Sequence, residues 1–188
     1  MPKITAASVE SSLLPKLNGF KESAAAVKEA HAKARQAILD DPMTSDLAKR
    51  GKLDMLKIET RRKLDSIKAD QEAHVSGLKS TLEKQFRGPQ ASDASSILLR
   101  RDAADRARKI TDKLGAMEVL QDAIANGDAE MAHAIGIRAR NNVWEDVADA
   151  YTAAHPDTAD SAAALAFVEA NTSGAAYNFA NQITYSDP

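Results

Sequence analysis

The chain has 188 residues, 44% of them hydrophobic but only 4% aromatic, a composition that favours helix packed on helix over sheet. It has no cysteine, which excludes a disulfide framework, a thiolate metal site and a thiol nucleophile. The net charge of −2 conceals a division: residues 1–89 carry 17 Lys and Arg against 12 Asp and Glu, residues 90–188 carry 8 against 15, and no Lys or Arg follows Arg140. A basic arm and an acidic end suit head-to-tail self-association or two different partners.

In chain order, the first periodic segment reads Leu13, Leu17, Phe20, Ala24, Val27, His31, Ala34 and Ile38, alternating steps of four and three. This heptad-like seam predicts a helix to about Leu39, with Pro15 and Asn18-Gly19 as places where its start could break. Asp40-Asp41-Pro42 stops it, because Pro has no amide hydrogen and restricts the residue before it. Thr44, Ser45 or Asp46 then caps a second helix that meets no breaker until about Arg87, some 60 Å at about 1.5 Å per residue, with Gly77 its weak point.

That second helix carries the strongest pattern in the chain. Leu53, Leu64, Val75 and Phe86 recur every eleven residues, as do Leu56, Ile67 and Leu78; Thr60, Gln71 and Leu82 complete the 3-4-4 spacing. Eleven residues in three turns nearly matches a straight α-helix, so these side chains form one lengthwise stripe. A short connection between two seamed helices predicts an antiparallel, coiled-coil-like hairpin. The second helix is the longer, so its distal stripe (Leu78, Leu82, Phe86) is expected to need cover from the second half of the chain, another copy or another protein. The seam Leu53, Leu56, Leu64, Ile67, Val75, Leu78, Leu82, Phe86 is therefore the expected association surface.

Gly88-Pro89-Gln90 ends this helix, and Ser92-Asp93 starts a third, predicted over about 94–114 and extendable to Ala125. Its Arg100-Arg101, Arg106, Arg108-Lys109 and Lys113 alternate with Asp102, Asp105 and Asp112, as on a solvated face rather than a phosphate groove. Asn126-Gly127-Asp128 predicts a stop and restart. Short helices follow over about 129–140, 143–154 and from Asp157 or Asp160 to about 170, their small residues suiting close packing. Trp144 is expected as a core anchor. Past Thr172-Ser173-Gly174, the tail carries Tyr177, Phe179, Ile183 and Tyr185. Disordered tails lack aromatics, so this one is expected to dock, on its own body or on a partner. If it docks on a partner, removing 175–188 should leave the fold intact.

The expected architecture is all-α: an elongated antiparallel helical hairpin over 1–87, a compact bundle of short helices over 88–171 and a C-terminal docking tail over 172–188. No catalytic or cofactor motif interrupts it. The four histidines have no metal-ligand spacing, Asp128, Glu130 and His133 make a thin ligand set, and neither a nucleophile elbow nor a phosphate-binding glycine loop is present. Hence no catalytic residue, no metal, no cofactor and no enzyme activity is expected. In a helix-turn-helix reading of 129–154 the second helix would present Glu145, Asp146 and Asp149 to phosphates, which repel them. The basic stretch from Lys49 to Lys63 lacks interleaved aromatics, so nucleic-acid contact is expected to be absent or weak and non-specific. No apolar run approaches the roughly 18 residues that span a bilayer, and Met1-Pro2-Lys3-Ile4-Thr5 lacks signal-peptide order, so a soluble protein made in the cytoplasm is expected.

Two stretches resemble a known group. Ile38-Leu39-Asp40-Asp41-Pro42-Met43-Thr44 followed by a long Lys/Arg-rich helix is similar to small helical proteins encoded near capsid genes in tailed phages of actinobacteria. So is Gly127-Asp128 through Ala134, with Arg138-Ala139, Trp144-Glu145-Asp146-Val147 and Tyr151 to Pro156. The resemblance implies a bacteriophage virion protein, capsid- or neck-associated, made in the host cytoplasm, binding other virion structural proteins and forming a homo-oligomer. It also leaves room for a transient scaffolding or assembly chaperone, or a nucleic-acid-associated packaging accessory.

Overall fold

The structure, a computed structural model, describes residues 4–88 and 93–188. These form eight α-helices and no strand: α1 Ala6–Asp40, α2 Asp46–Arg87, α3 Ala94–Arg108, α4 Lys113–Asn126, α5 Ala129–Asn141, α6 Glu145–Ala154, α7 Pro156–Thr172 and α8 Gly174–Thr184. The chain is all-α. Met1, Pro2 and Lys3 of the N-terminal reading, and Pro89, Gln90 and Ser92 of the break before α3, lie outside the described residues. The contacts divide the chain into one unit of residues 82–163 and another of residues 4–81 with 164–188. These boundaries differ from the expected 1–87, 88–171 and 172–188, because α2 and α7 each contribute to both units and the C-terminal segment joins the first helices.

In the discontinuous unit, α1 opens on a capping box in which Thr5 and Ser8 satisfy each other's backbone amides. The helix continues through Pro15, whose ring is exposed while Leu13 and Leu17 bury the opposite face. α1 and α2 touch in antiparallel order. The Phe20 ring lies 6.2 Å from that of His74, His31 Nδ1 is 2.8 Å from Thr60 Oγ1, and Lys49 Nζ donates to the Leu39 carbonyl at 2.6 Å. Every seam position read from the sequence is buried or half-buried: Thr60, Leu64, Gln71 and Val75 are buried, while Leu53, Leu56, Ile67 and Leu78 are intermediate. Leu64 packs with Ala24 and Tyr185, flanked by Val27 and Ile67.

The contiguous unit is organised around α5, which packs against α3, α4 and α6, while α4 also meets α6. Its core is mostly small: Ala103, Ala107, Ala116, Ala123, Ala132 and Ala139 are buried beside Leu120, Met131, Ile135, Val147 and Tyr151. Small side chains let helices approach closely, and Gly136 marks the tightest place. A Cβ there would meet the Tyr151 ring at 2.6–2.8 Å. Gly136→Ala is therefore expected to destabilise this unit by about 2 kcal/mol, seen as a lower denaturant midpoint, because the ring must move or the helices part.

The expected third helix is two helices. α3 ends at Arg108, and Asp112 caps α4 by accepting the Gly115 amide at 2.9 Å. Arg138 Nε holds the intervening link by donating to the Ile110 carbonyl at 2.7 Å. The stop at Gly127 (φ 68°) and restart on Asp128, which accepts the Met131 amide at 3.0 Å, fall where the sequence places them. α6 starts at Glu145, two residues later than predicted.

Candidate functional site

The expected association seam is filled within the chain. Leu53 to Leu78 face their own unit as described, and the distal Leu82 and Phe86 are buried in the other unit. There the Phe86 ring lies 5.6 Å from both His133 and Tyr151, so α5 and α6 cover this end of the stripe. Trp144 is half-buried at the start of α6, with the Arg138 guanidinium 5.5 Å from its ring.

The tail is a helix, α8, begun by Gly174 at φ 85°. It packs on α1, and Tyr185 is only 4% exposed. Its polar atoms complete the amide of Gln71: Nε2 donates to Tyr177 Oη at 2.8 Å and to Asn181 Oδ1 at 3.0 Å, and Oε1 accepts from Tyr185 Oη at 2.7 Å. Lys28 Nζ donates to the Ile183 carbonyl at 2.9 Å, and Arg61 pairs with Asp187 at 3.1 Å. Tyr177 and Tyr185 thus dock on this chain, whereas Phe179 and Ile183 remain exposed one turn apart.

In the contiguous unit a ring cluster joins α2, α5 and α6. His133 Nδ1 is 2.7 Å from Tyr151 Oη, and Tyr151 stacks on His155 at 4.4 Å. The other His133 ring nitrogen is buried without a hydrogen-bond partner. Burial, reinforced by the Arg87 and His155 charges, pulls the His133 imidazole down to about 4; burial and Asp157 push the Tyr151 phenol up to about 12. Both groups are thereby held neutral at ordinary pH, so the imidazole is a weak base and the phenol a poor nucleophile. The histidine binds its proton more readily unfolded than folded. Stability is therefore expected to fall as pH drops from about 6.5 towards about 4, by about 2 kcal/mol after allowing for partial exposure. Melting temperature against pH checks this: His133→Gln should flatten that part of the profile relative to wild type.

A cavity of about 490 Å³ opens between α3 and α5. Arg87, Arg100, Arg101 and Arg108 line it with Glu130 and His133, beside the apolar Ile97, Ala104, Ala134 and Ile137. Arg100 lies 3.8 Å from Glu130, and Arg108 pairs with Asp105 at 2.7 Å. Reading α3 alone suggested a solvated face; the cleft exists because α5 and the end of α2 supply the other walls.

In the other unit, α2 carries a further apolar stripe that the sequence reading missed. Leu47, Gly51, Met55 and Ile58 are spaced 4-4-3 on the side of the helix away from the seam. Leu47 is 81% exposed, Met55 57% and Ile58 55%, and nothing stands within 4 Å of a Cβ at Gly51. Met43, in the preceding turn, is also exposed. The interrupting glycine hides the stripe, but its 4-4-3 spacing was legible.

Among the described residues no group of three or more His, Asp or Glu could hold a metal ion, and no helix is long and apolar enough to cross a membrane. No family model, curated protein or solved structure matches the chain.

Proposed function

We propose that the protein is a non-enzymatic structural component of a tailed-phage virion, docking on other virion structural proteins through the outer face of α2. The observation that carries this reading is the exposed stripe Leu47, Gly51, Met55, Ile58, since an apolar row at helical spacing suits a partner helix. Arg50, Lys52, Lys57, Arg61, Arg62 and Lys63 flank the stripe against Asp54 and Glu59, so the partner surface is expected to be acidic. The phage assignment itself rests on the resemblance described above.

Met55→Asp with Ile58→Asp tests the docking. Both side chains face water, so the double variant is expected to melt within about 0.5 kcal/mol of wild type while failing to enter particles. Mass spectrometry of purified particles reads incorporation. A virion component is present in mature particles, a transient scaffold is absent from them, and a variant that enters as well as wild type overturns the α2 reading.

A further inference from the structure

The C-terminal turn of α5 holds an unusual residue. The Trp144 amide donates to the Ala139 carbonyl at 2.8 Å and the Val143 amide to the Arg140 carbonyl at 3.3 Å, the paired bonds of a Schellman turn. The left-handed position of that turn normally takes glycine. Here it is Val143, at φ 57°, the one non-glycine residue with positive φ among the described residues. A β-branched side chain is strained in that conformation. The strain is not offset by burial, since Val143 is 75% exposed. It is followed by the exposed carboxylates Glu145 and Asp146, of which Asp146 accepts a hydrogen bond from Lys113 at 3.1 Å, both side chains being exposed. The result is a fixed apolar knob with negative charge beside it.

The same unit carries the complementary shape. The cleft between α3 and α5 is lined by Ile97 and Ile137 and by four arginines, with the carboxylate of Glu130 among them. A lining of aliphatic side chains and arginines matches an acidic peptide turn bearing an aliphatic side chain. It suits a nucleic-acid backbone less well, since the ring in its lining, His133, already lies against Phe86 and Tyr151. We propose that the chain self-associates head to tail, the Val143–Asp146 knuckle of one copy entering the arginine cleft of the next. Val143 seats against Ile97 and Ile137, and Glu145 and Asp146 meet Arg101 and Arg108. Knob and cleft share no residue, so the contact is heterologous: a pair keeps one free knob at one end and one free cleft at the other, and growth proceeds to a ring or a filament. The inference does not depend on what α2 docks on.

Sedimentation of the full chain over a concentration series tests it. Wild type is expected to gain mass with concentration, and less so at high salt. Val143→Gly should weaken association at least about tenfold while raising the melting temperature by about 2–4 °C, as the strain is relieved. A merely structural residue would move the two readouts the same way. Arg101→Glu with Arg108→Glu spoils the cleft, and Glu145→Lys with Asp146→Lys spoils the knob, so each double variant alone should be monomeric. Mixed, they retain one good cleft and one good knob and should form a one-to-one dimer that grows no further. Met55→Asp with Ile58→Asp should associate like wild type, which separates this inference from the α2 docking. A wild-type chain that stays monomeric, a Val143→Gly chain that associates undiminished, or a mixture that does not pair overturns the proposal. So does a cleft variant that loses binding of inorganic polyphosphate but still associates, which would make the cleft a small-anion site.

Discussion

Leu64→Asp is expected to unfold the unit formed by residues 4–81 and 164–188, at a cost above about 3 kcal/mol. Leu64 is fully buried against Ala24 and Tyr185, with Val27 and Ile67 around it, and none of these offers a carboxylate a hydrogen bond through its side chain except the Tyr185 hydroxyl. That hydroxyl is already committed to Gln71. The charge must either stay unpaired in an apolar site or take up a proton, and both penalise the fold. Circular dichroism during urea titration reads the effect. Met55→Asp on the outer face of the same helix is the control and should leave the midpoint almost unmoved. A Leu64→Asp chain with wild-type helicity and an unchanged midpoint would mean that the seam is not a packed face.

Removing residues 174–188 should have the second-largest effect, opposite to what a partner-docking tail would give. Without α8, Leu64 loses the Tyr185 ring, and the buried amide of Gln71 loses all three of its hydrogen bonds. Exposing one large aromatic contact surface costs about 2 kcal/mol, and exchanging the three hydrogen bonds of the Gln71 amide for bonds to water adds about 1–3 kcal/mol. The truncated chain is expected to melt well below wild type and to lose helicity beyond the residues removed. Tyr185→Phe, which keeps the ring and removes only the hydroxyl, should cost about 1 kcal/mol. An unaltered melting temperature on truncation would show that α8 rests on the surface without contributing to the core.

The long seam was legible because a helix repeats its environment every eleven residues in three turns, and that regularity includes the polar members. Thr60 and Gln71 fall in the stripe by spacing alone, and both are buried, Thr60 beside His31 and Gln71 under α8. What covers the stripe was not legible, because a seam records only that something packs on it. Tyr185 lies 114 residues from Gln71, and no local pattern links them. The split between α3 and α4 was missed for another reason. Asp112 looks like one more member of an alternating charge pattern, and only the fold shows its carboxylate turned back onto the Gly115 amide. The arginine cleft needs three elements at once, so α3 read by itself gave only half of it.

The discontinuity of the first unit also orders events in time. Residues 82–163 form a contiguous unit rich in neighbouring-helix contacts and can complete their core as soon as they leave the ribosome. The unit that precedes them in the chain cannot. Gln71 stays unsatisfied, and Leu64 partly uncovered, until Tyr177, Asn181 and Tyr185 have been synthesised. The first helices made are therefore the last to be finished, waiting with an open seam while a whole bundle is assembled behind them. Pairing across so many residues is slow, so refolding is expected in two phases, the bundle first and the closure of α8 afterwards. During that interval the uncovered stripe is the part of the nascent chain most exposed to chaperones and to wrong neighbours.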